Sequence, residues 1–187
     1  MIISRAYKEG SRIMHRVFVY GTLKRDEPNY YVLQKCDYGH AEYVGRAVTC
    51  DKYPLVVATR YNIPFLLSKC GTGKNVEGEL FDVDDSMLAS LDKLEGCPSW
   101  YSRLSIPIVL TTDGHDNRLE VPVRQNVQVY LLENYKKELL DRVMLTDYSS
   151  KGQHNLPYDS AWYVRVEEWG LIHTVINSIV ICYYYLC

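Results

Sequence analysis

One turn in this sequence brings together several groups that could bind a carboxylate or carbonyl oxygen. An apolar run at residues 17–20 is typical of a short buried strand, and it stops at Gly21, a residue type that lets the backbone turn sharply or approach a ligand closely. Gly21, Thr22 and Leu23 each carry a backbone N–H, and Thr22 adds a hydroxyl. Tyr20, Gly21, Thr22 and Leu23, here called the glycine turn, are therefore candidate ligand-binding residues. An ordinary turn after a buried strand is the alternative, because one Gly-Thr pair is a weak signal.

A carboxylate in an unfavourable position is predicted at Glu95. Either Asp84 or Asp85 is suited to cap a helix, and apolar residues repeat at helical spacing after it, at Met87, Leu88, Leu91 and Leu94. Glu95 follows at the carboxyl end, where the helix dipole disfavours a negative charge by a few tenths to ~1 kcal/mol. The dipole and partial burial would both raise its pKa, which suits a general base near neutral pH. An exposed glutamate on a solvated helix end is the alternative.

Strands dominate the elements that must position these residues. Apolar runs predict strands at residues 53–58 and 64–67, alternation predicts one at 76–83, and long β segments are expected at 101–110 and 119–132. Short helices are expected at 30–35, with Asn29 as N-cap, and at 135–140. Because the strands lie on both sides of one well-marked helix without regular β-α alternation, the sequence predicts an α+β fold around a curled sheet or barrel.

Composition excludes several classes of function. The 187 residues suit one domain, and 47% hydrophobic content is enough for a core. A formal net charge of −2 without a basic block argues against nucleic acid or an anionic membrane as partner. The six cysteines form no Cys-x-x-Cys pair and no zinc-ligand spacing. We expect reduced, mostly buried cysteines in a cytosolic protein, with no metal site.

The two ends of the chain differ from its middle. Residues 1–14 are expected to be a flexible extension, with Met14 as an alternative start, before a domain at residues 15–165. Residues 166–187 form an apolar tail that is slightly short for a membrane-spanning helix of ~20 residues. In order of preference, this tail is an artefact of gene prediction, a segment packed on the domain, or a tail anchor. No stable membrane association is expected.

Several separated motifs form a set. They are Tyr-Gly-Thr-Leu within residues 17–25, Tyr-Pro-Leu-Val at 53–56, Asn-Ile-Pro at 62–64, Val-Glu-Gly-Glu at 76–79 and Cys-Pro-x-x-Tyr-x-Arg at 97–103, with the Leu-Glu-Gly that precedes it. Together they resemble the gamma-glutamylamine cyclotransferase family, part of the wider gamma-glutamylcyclotransferase-like (AIG2-like) group. Residues 148–154 look like the C-terminal loop of that family. The resemblance runs from about His15 to Tyr158, and the chain beyond it does not look like the family.

The resemblance implies a compact, small mixed β-barrel with a few peripheral helices and a cavity. Substrates of the family are gamma-glutamylamines, notably gamma-glutamyl-epsilon-lysine, and the products are 5-oxoproline and the free amine. The substrate loop of the family corresponds to Tyr20, Gly21, Thr22 and Leu23, and its catalytic acid corresponds to Glu95. No cofactor or metal is implied, and the only partner expected is the small gamma-glutamyl substrate.

Two alternatives stay open at the level of the sequence. The first is that the chain is a cyclotransferase of the same group that acts on another gamma-glutamyl compound, such as a gamma-glutamyl amino acid. A non-catalytic AIG2-like binding protein is the alternative from a different class, although a scaffold has no use for an acid at a helix end beside a turn of N–H donors. Tyr101 and Arg103 either line the pocket or lie on the sheet surface.

Overall fold

A closed, five-stranded barrel forms the centre of the protein. The structure is a computed structural model that describes residues 14–59, 61–152, 154 and 156–159. Its strands are β1 (Met14–Val19), β2 (Ala41–Thr49), β3 (Leu55–Ala58), β4 (Ile63–Leu66), β5 (Glu77–Asp84), β6 (Tyr101–Thr112), β7 (Arg118–Leu132) and β8 (Met144–Leu145). Its helices are α1 (Tyr31–Gln34) and α2 (Asp85–Leu94), with short 3-10 helices at Cys36–Tyr38 and Lys137–Asp141.

The barrel has the strand order β1-β5-β2-β6-β7. Its neighbouring pairs are antiparallel, and the barrel closes where β1 lies parallel to β7 at Val17 and Gln128. Strands β4, β3 and β8 form a separate three-stranded sheet. The predicted α+β fold, a small mixed barrel with a few peripheral helices, is confirmed.

The second half of strand β1 has apolar contacts on both faces, which explains the apolar run that begins at Val17. Phe18 belongs to the buried cluster inside the barrel, together with Ile108 and Val129. Val17 and Val19 belong to a second buried cluster, which includes residues of helix α2. Since successive side chains of a strand point to opposite faces, β1 separates the barrel interior from the layer that contains the helix.

Helix α2 forms as predicted. The Asp84 side chain caps it by accepting a hydrogen bond from the Met87 N–H at 2.9 Å. Met87, Leu88 and Leu91 are buried, so the apolar face of the helix packs on the barrel. The helix ends at Glu95, and Gly96 follows with a φ of +61°, the left-handed conformation in which glycine commonly terminates helices.

Local differences from the sequence predictions have physical causes. Asn29 does not cap α1, because its side chain instead donates to the Thr22 hydroxyl at 3.0 Å. The helix expected at 135–140 is a 3-10 helix at Lys137–Asp141, and the two-residue strand β8 was not predicted. The four described cysteines are free thiols, but none is buried, so that part of the expectation is wrong for Cys36, Cys50, Cys70 and Cys97.

The ends of the chain fall almost wholly outside the described residues. Of the expected N-terminal extension at 1–14, only Met14 is described, and strand β1 begins there. The apolar tail at 166–187 is not described, so the domain boundaries remain predictions. Within the described ranges, none of the helices has the length and apolar character needed to cross a bilayer.

Gly78 of strand β5 sits where β1 approaches closely. A Cβ atom at Gly78 would lie 2.4 Å from the Val19 carbonyl oxygen and 2.6 Å from the Phe18 ring. We expect Gly78→Ala to force β1 and β5 apart, with a loss of about 2–3 kcal/mol in the free energy of unfolding and a lower Tm by about 5–10 °C. Thermal unfolding followed by circular dichroism measures this.

Gly71→Ala is the control for the added methyl group. Gly71 has a φ of +84°, but a Cβ atom there meets nothing within 4 Å, so only a backbone cost of about 1 kcal/mol is expected. Equal Tm values for the two variants would contradict a close β1–β5 approach at Gly78.

Candidate active site

The glycine turn forms directly at the end of strand β1. The Lys24 N–H donates to the Gly21 carbonyl oxygen at 3.1 Å and closes the turn, while Tyr20 and Leu23 are buried. Within the described residues, no acceptor is found for the backbone N–H groups of Gly21, Thr22 or Leu23. Three consecutive amide donors therefore remain unbonded, as the sequence had suggested, and could bind a ligand oxygen.

Strand β4 borders the turn. A Cβ atom at Gly21 would lie 2.9 Å from the Pro64 Cγ atom, so only glycine fits there without displacing β4. The backbone of Leu66, in the same strand, is close enough to the Tyr20 hydroxyl to oppose part of the rise in its pKa. The Asn-Ile-Pro segment of the sequence thus contributes one wall of the site.

Tyr20 connects the turn to the barrel and to Glu95. Its hydroxyl donates to the Tyr130 carbonyl oxygen at 2.9 Å. Burial raises the pKa of Tyr20 well above its ordinary value of 10.0, and the charge of Glu95 raises it further. The phenol is therefore protonated at neutral pH, and the Glu95 carboxyl lies within electrostatic range of the turn.

Glu95 caps the carboxyl end of helix α2, where its N–H donates to the Leu91 carbonyl oxygen at 2.9 Å. The residue is partly accessible to solvent, yet it is surrounded by protein, and burial raises the pKa of its carboxyl from 4.5 to about 7. The surrounding protein therefore desolvates the carboxyl, although part of the residue stays accessible. None of the hydrogen bonds or ion pairs found among the described residues involves its carboxylate oxygens, so the carboxylate lacks compensation for its desolvation.

Asp92, one helical turn before Glu95, has the opposite environment. Its Oδ1 accepts hydrogen bonds from the Tyr130 hydroxyl at 2.7 Å and from the Arg103 Nε at 2.8 Å. Two carboxylates on one helix therefore differ: Asp92 is paired with a cation, and Glu95 is not. This separation of environments is typical of acid–base sites. Arg103 therefore pairs with Asp92. Asp92 is one of the site residues that the sequence analysis did not identify.

Tyr101 is buried in the core and stacks on Phe65 of strand β4, with ring centroids 6.4 Å apart. It supports the wall of the site from behind, so neither alternative from the sequence describes it fully. Tyr130 was also missed, although it contacts both Tyr20 and Asp92. Sequence spacing could not predict these contacts, because Tyr20, Asp92 and Tyr130 come together only when the barrel forms.

Charged residues after the glycine turn attach it to distant parts of the chain. Lys24 is buried and forms an ion pair with Asp147. The Arg25 N–H and Nε both bind the Glu79 carboxylate, at 2.8 and 3.0 Å. These contacts fix the turn from outside the barrel. Among the residues described, no group of three or more His, Cys, Asp or Glu side chains is arranged to hold a metal ion.

A small mixed barrel with a desolvated glutamate beside a glycine turn defines a known class of protein. Residues 17–150 match the family described as gamma-glutamyl cyclotransferase, AIG2-like. The chain belongs to this family, and the resemblance noted in the sequence is confirmed.

Relatives support this assignment over most of their length. The chain is 41% identical over 145 residues to gamma-glutamylaminecyclotransferase C of Danio rerio, covering 77% of this chain and 92% of the relative. It is 40% identical over 148 residues to gamma-glutamylaminecyclotransferase of Homo sapiens, covering 78% and 97%. The crystal structure of an AIG2-like protein from Mus musculus superposes with a TM-score of 0.71 at 38% identity, covering 78% of this chain and 95% of the mouse chain.

The pKa of Glu95 predicts a pH dependence of stability. Because its folded-state pKa of about 7 lies above the ordinary value of 4.5, the folded protein holds the proton more tightly than the unfolded chain does. The contribution of Glu95 to stability is therefore fully present below about pH 4.5 and is lost as pH rises through about 7. Glu95→Gln removes this loss, so we expect the variant to gain stability relative to wild type between about pH 5 and about pH 8, by at most about 3 kcal/mol.

Urea unfolding of both proteins at several pH values measures the difference. Glu120→Gln is the control, because it removes a carboxyl group from an exposed position on strand β7. A pH-independent difference for Glu95→Gln would contradict the desolvation of Glu95.

Proposed function

We propose that this protein is a gamma-glutamylamine cyclotransferase. It converts gamma-glutamylamines, such as gamma-glutamyl-epsilon-lysine, to 5-oxoproline and the free amine. Family membership and about 40% identity to proteins named gamma-glutamylaminecyclotransferase support the reaction class. The observation that carries the proposal is the unpaired, desolvated carboxyl of Glu95 within electrostatic range of Tyr20.

The reaction closes a five-membered ring within the substrate. The α-amine attacks the γ-carbonyl carbon, a new C–N bond forms, and the C–N bond to the leaving amine breaks. The α-ammonium must first lose a proton, which the Glu95 carboxylate accepts, and the protonated Glu95 then gives a proton to the departing amine. The ring nitrogen loses its second proton by the same route, so the products are a neutral lactam and an ammonium ion. No water is consumed. A pKa of about 7 lets Glu95 serve in both directions at neutral pH.

The glycine turn supplies the other requirement, which is orientation. Ring closure is slow mainly because the flexible glutamyl chain must be held in a folded pose. The N–H groups of Gly21, Thr22 and Leu23 are suited to hold the substrate's oxygens in that pose and to stabilise negative charge that develops on the carbonyl oxygen. The bond from Tyr20 to the Tyr130 carbonyl fixes the start of the turn against the barrel.

Removal of the proton acceptor is the direct test of this role. We expect Glu95→Gln to fold normally and to lose at least about a hundredfold in kcat, because proton transfer by a positioned side chain contributes about 10²- to 10⁴-fold. Release of 5-oxoproline from gamma-glutamyl-epsilon-lysine measures it. Glu120→Gln, which removes the same charge from an exposed position, should keep wild-type turnover. Wild-type turnover in Glu95→Gln would remove the proposed base.

The pH profile of the wild-type enzyme provides an independent test. Glu95 accepts a proton only when ionised, so kcat/KM should rise with pH and reach half its plateau near the pKa of about 7. Burial produces that pKa, whereas an ordinary exposed glutamate would give a midpoint near 4.5. A profile that is flat from about pH 5 to about pH 8 would exclude Glu95 as the titrating group.

Substrate preference separates this proposal from its nearest alternative. We expect faster 5-oxoproline release from gamma-glutamyl-epsilon-lysine than from gamma-glutamyl-alanine, compared as kcat/KM. The reverse order would favour a cyclotransferase for gamma-glutamyl amino acids. A folded protein without turnover on either compound would favour the non-catalytic binding protein. We also propose a cytosolic location, which the reduced cysteines support.

A further inference from the structure

Tyr148 has a buried hydroxyl that the mechanism above does not use. The residue has no exposed surface, and its hydroxyl has no hydrogen-bond partner among the described residues. Buried hydroxyls normally find a partner, because bonds to water that are lost on folding must be replaced. The Tyr148 hydroxyl therefore keeps a donor that no protein group among the described residues uses.

The backbone on both sides of Tyr148 is attached to the segment that begins with the glycine turn. Asp147 forms the ion pair with Lys24, the residue that directly follows the turn. The Ser150 N–H donates to the Glu27 Oε2 at 2.9 Å. Tyr148 lies between these two anchors, so it cannot move away from the turn without breaking one of them.

The ring of Tyr148 is held in a fixed orientation. It lies nearly parallel to the His154 ring, with centroids 5.9 Å apart and an interplanar angle of 13°. The Leu156 N–H donates to the His154 Nδ1 at 3.1 Å, so Nε2 carries the proton and donates to the Ser149 carbonyl oxygen at 2.8 Å. Tyr148 also belongs to the buried cluster that contains Tyr20, so its phenol packs in the same part of the core as the start of the turn.

The surroundings of the hydroxyl are polar and adjoin Thr22. The Glu27 carboxylate and the Tyr158 hydroxyl are close enough to add to the effect of burial, and together they raise the pKa of Tyr148 above its ordinary value of 10.0. The hydroxyl therefore keeps its proton. Asn29 joins this neighbourhood to the glycine turn, because its Nδ2 lies 3.4 Å from the Tyr158 hydroxyl and 3.0 Å from the Thr22 hydroxyl.

We propose that the Tyr148 hydroxyl donates a hydrogen bond to an oxygen of the substrate's glutamyl group, either its α-carboxylate or its γ-carbonyl. The inference rests on the proposed function and adds a substrate-contacting residue to the glycine turn. The glutamyl group presents both a carboxylate and a carbonyl, so a further donor from another part of the chain has an acceptor to bind. The 147–152 loop then has a role in binding as well as in supporting the turn.

Tyr148→Phe tests the proposal, because it removes only the hydroxyl. With gamma-glutamyl-epsilon-lysine, we expect kcat/KM to fall about ten- to a hundredfold, the range for a hydrogen bond to a charged group. A rise in KM with unchanged kcat identifies the α-carboxylate as acceptor, whereas a fall in kcat identifies the γ-carbonyl, where charge develops. The Tm should be unchanged or higher, since an unpartnered buried hydroxyl is removed.

Tyr53→Phe is the matched control. Tyr53 lies in the same buried cluster, but the groups that act on its hydroxyl are Cys70 and Asp51 rather than Glu27 and Tyr158, so kcat/KM should stay at the wild-type value. An unchanged kcat/KM in Tyr148→Phe would overturn the proposal, and so would a Tm below that of Tyr53→Phe, which would make the hydroxyl structural. If the unaltered protein has no turnover, the proposed function fails first and this inference fails with it. An active wild type with an unaffected variant contradicts the inference alone.

Discussion

The desolvation of one carboxyl group is the constraint on which the site depends. Glu95 lies at the negative end of a helix and is desolvated by the surrounding protein, and both features oppose its ionisation. Asp92, on the same helix, is stabilised by Arg103 and Tyr130. In this fold, Asp92 is therefore paired with a cation, Arg103, whereas Glu95 is not paired with a cation among the described residues. A protein selected only for stability would gain by pairing both, so the unpaired state of Glu95 is better explained by function.

The apolar face of helix α2 holds the helix against the barrel. Met87, Leu88 and Leu91 are buried in the cluster that also contains Val17 and Val19 of strand β1. The same strand that ends in the glycine turn therefore packs against the helix that ends in Glu95. The packing of helix α2 against strand β1 therefore fixes the positions of both Glu95 and the glycine turn.

Patterns of neighbouring residues in the sequence predicted the helices and strands, but they did not predict the contacts between distant residues. Alternation and apolar runs located strands β1, β3 and β5, and capping chemistry located helix α2, because these signals depend on neighbours in sequence. Asn29 was assigned to a helix cap because capping is its commonest local use, whereas in the fold it bonds to Thr22. The environment of Glu95 was predicted only in direction. Its burial depends on strands far away in sequence, and the cation on Asp92 comes from β6.

The barrel register explains why Tyr20 and Glu95, 75 positions apart in the sequence, lie within electrostatic range of each other. Strands β1 and β5 are antiparallel, with Met14 opposite Asp84 and Val19 opposite Glu79. Helix α2 therefore starts beside the beginning of β1 and contacts both strands as it returns along them. Its 10 residues rise ~15 Å, and the six residues of β1 span ~20 Å. A helix of this length ends near the level of Tyr20, so shortening α2 by one turn would move Glu95 away from Tyr20.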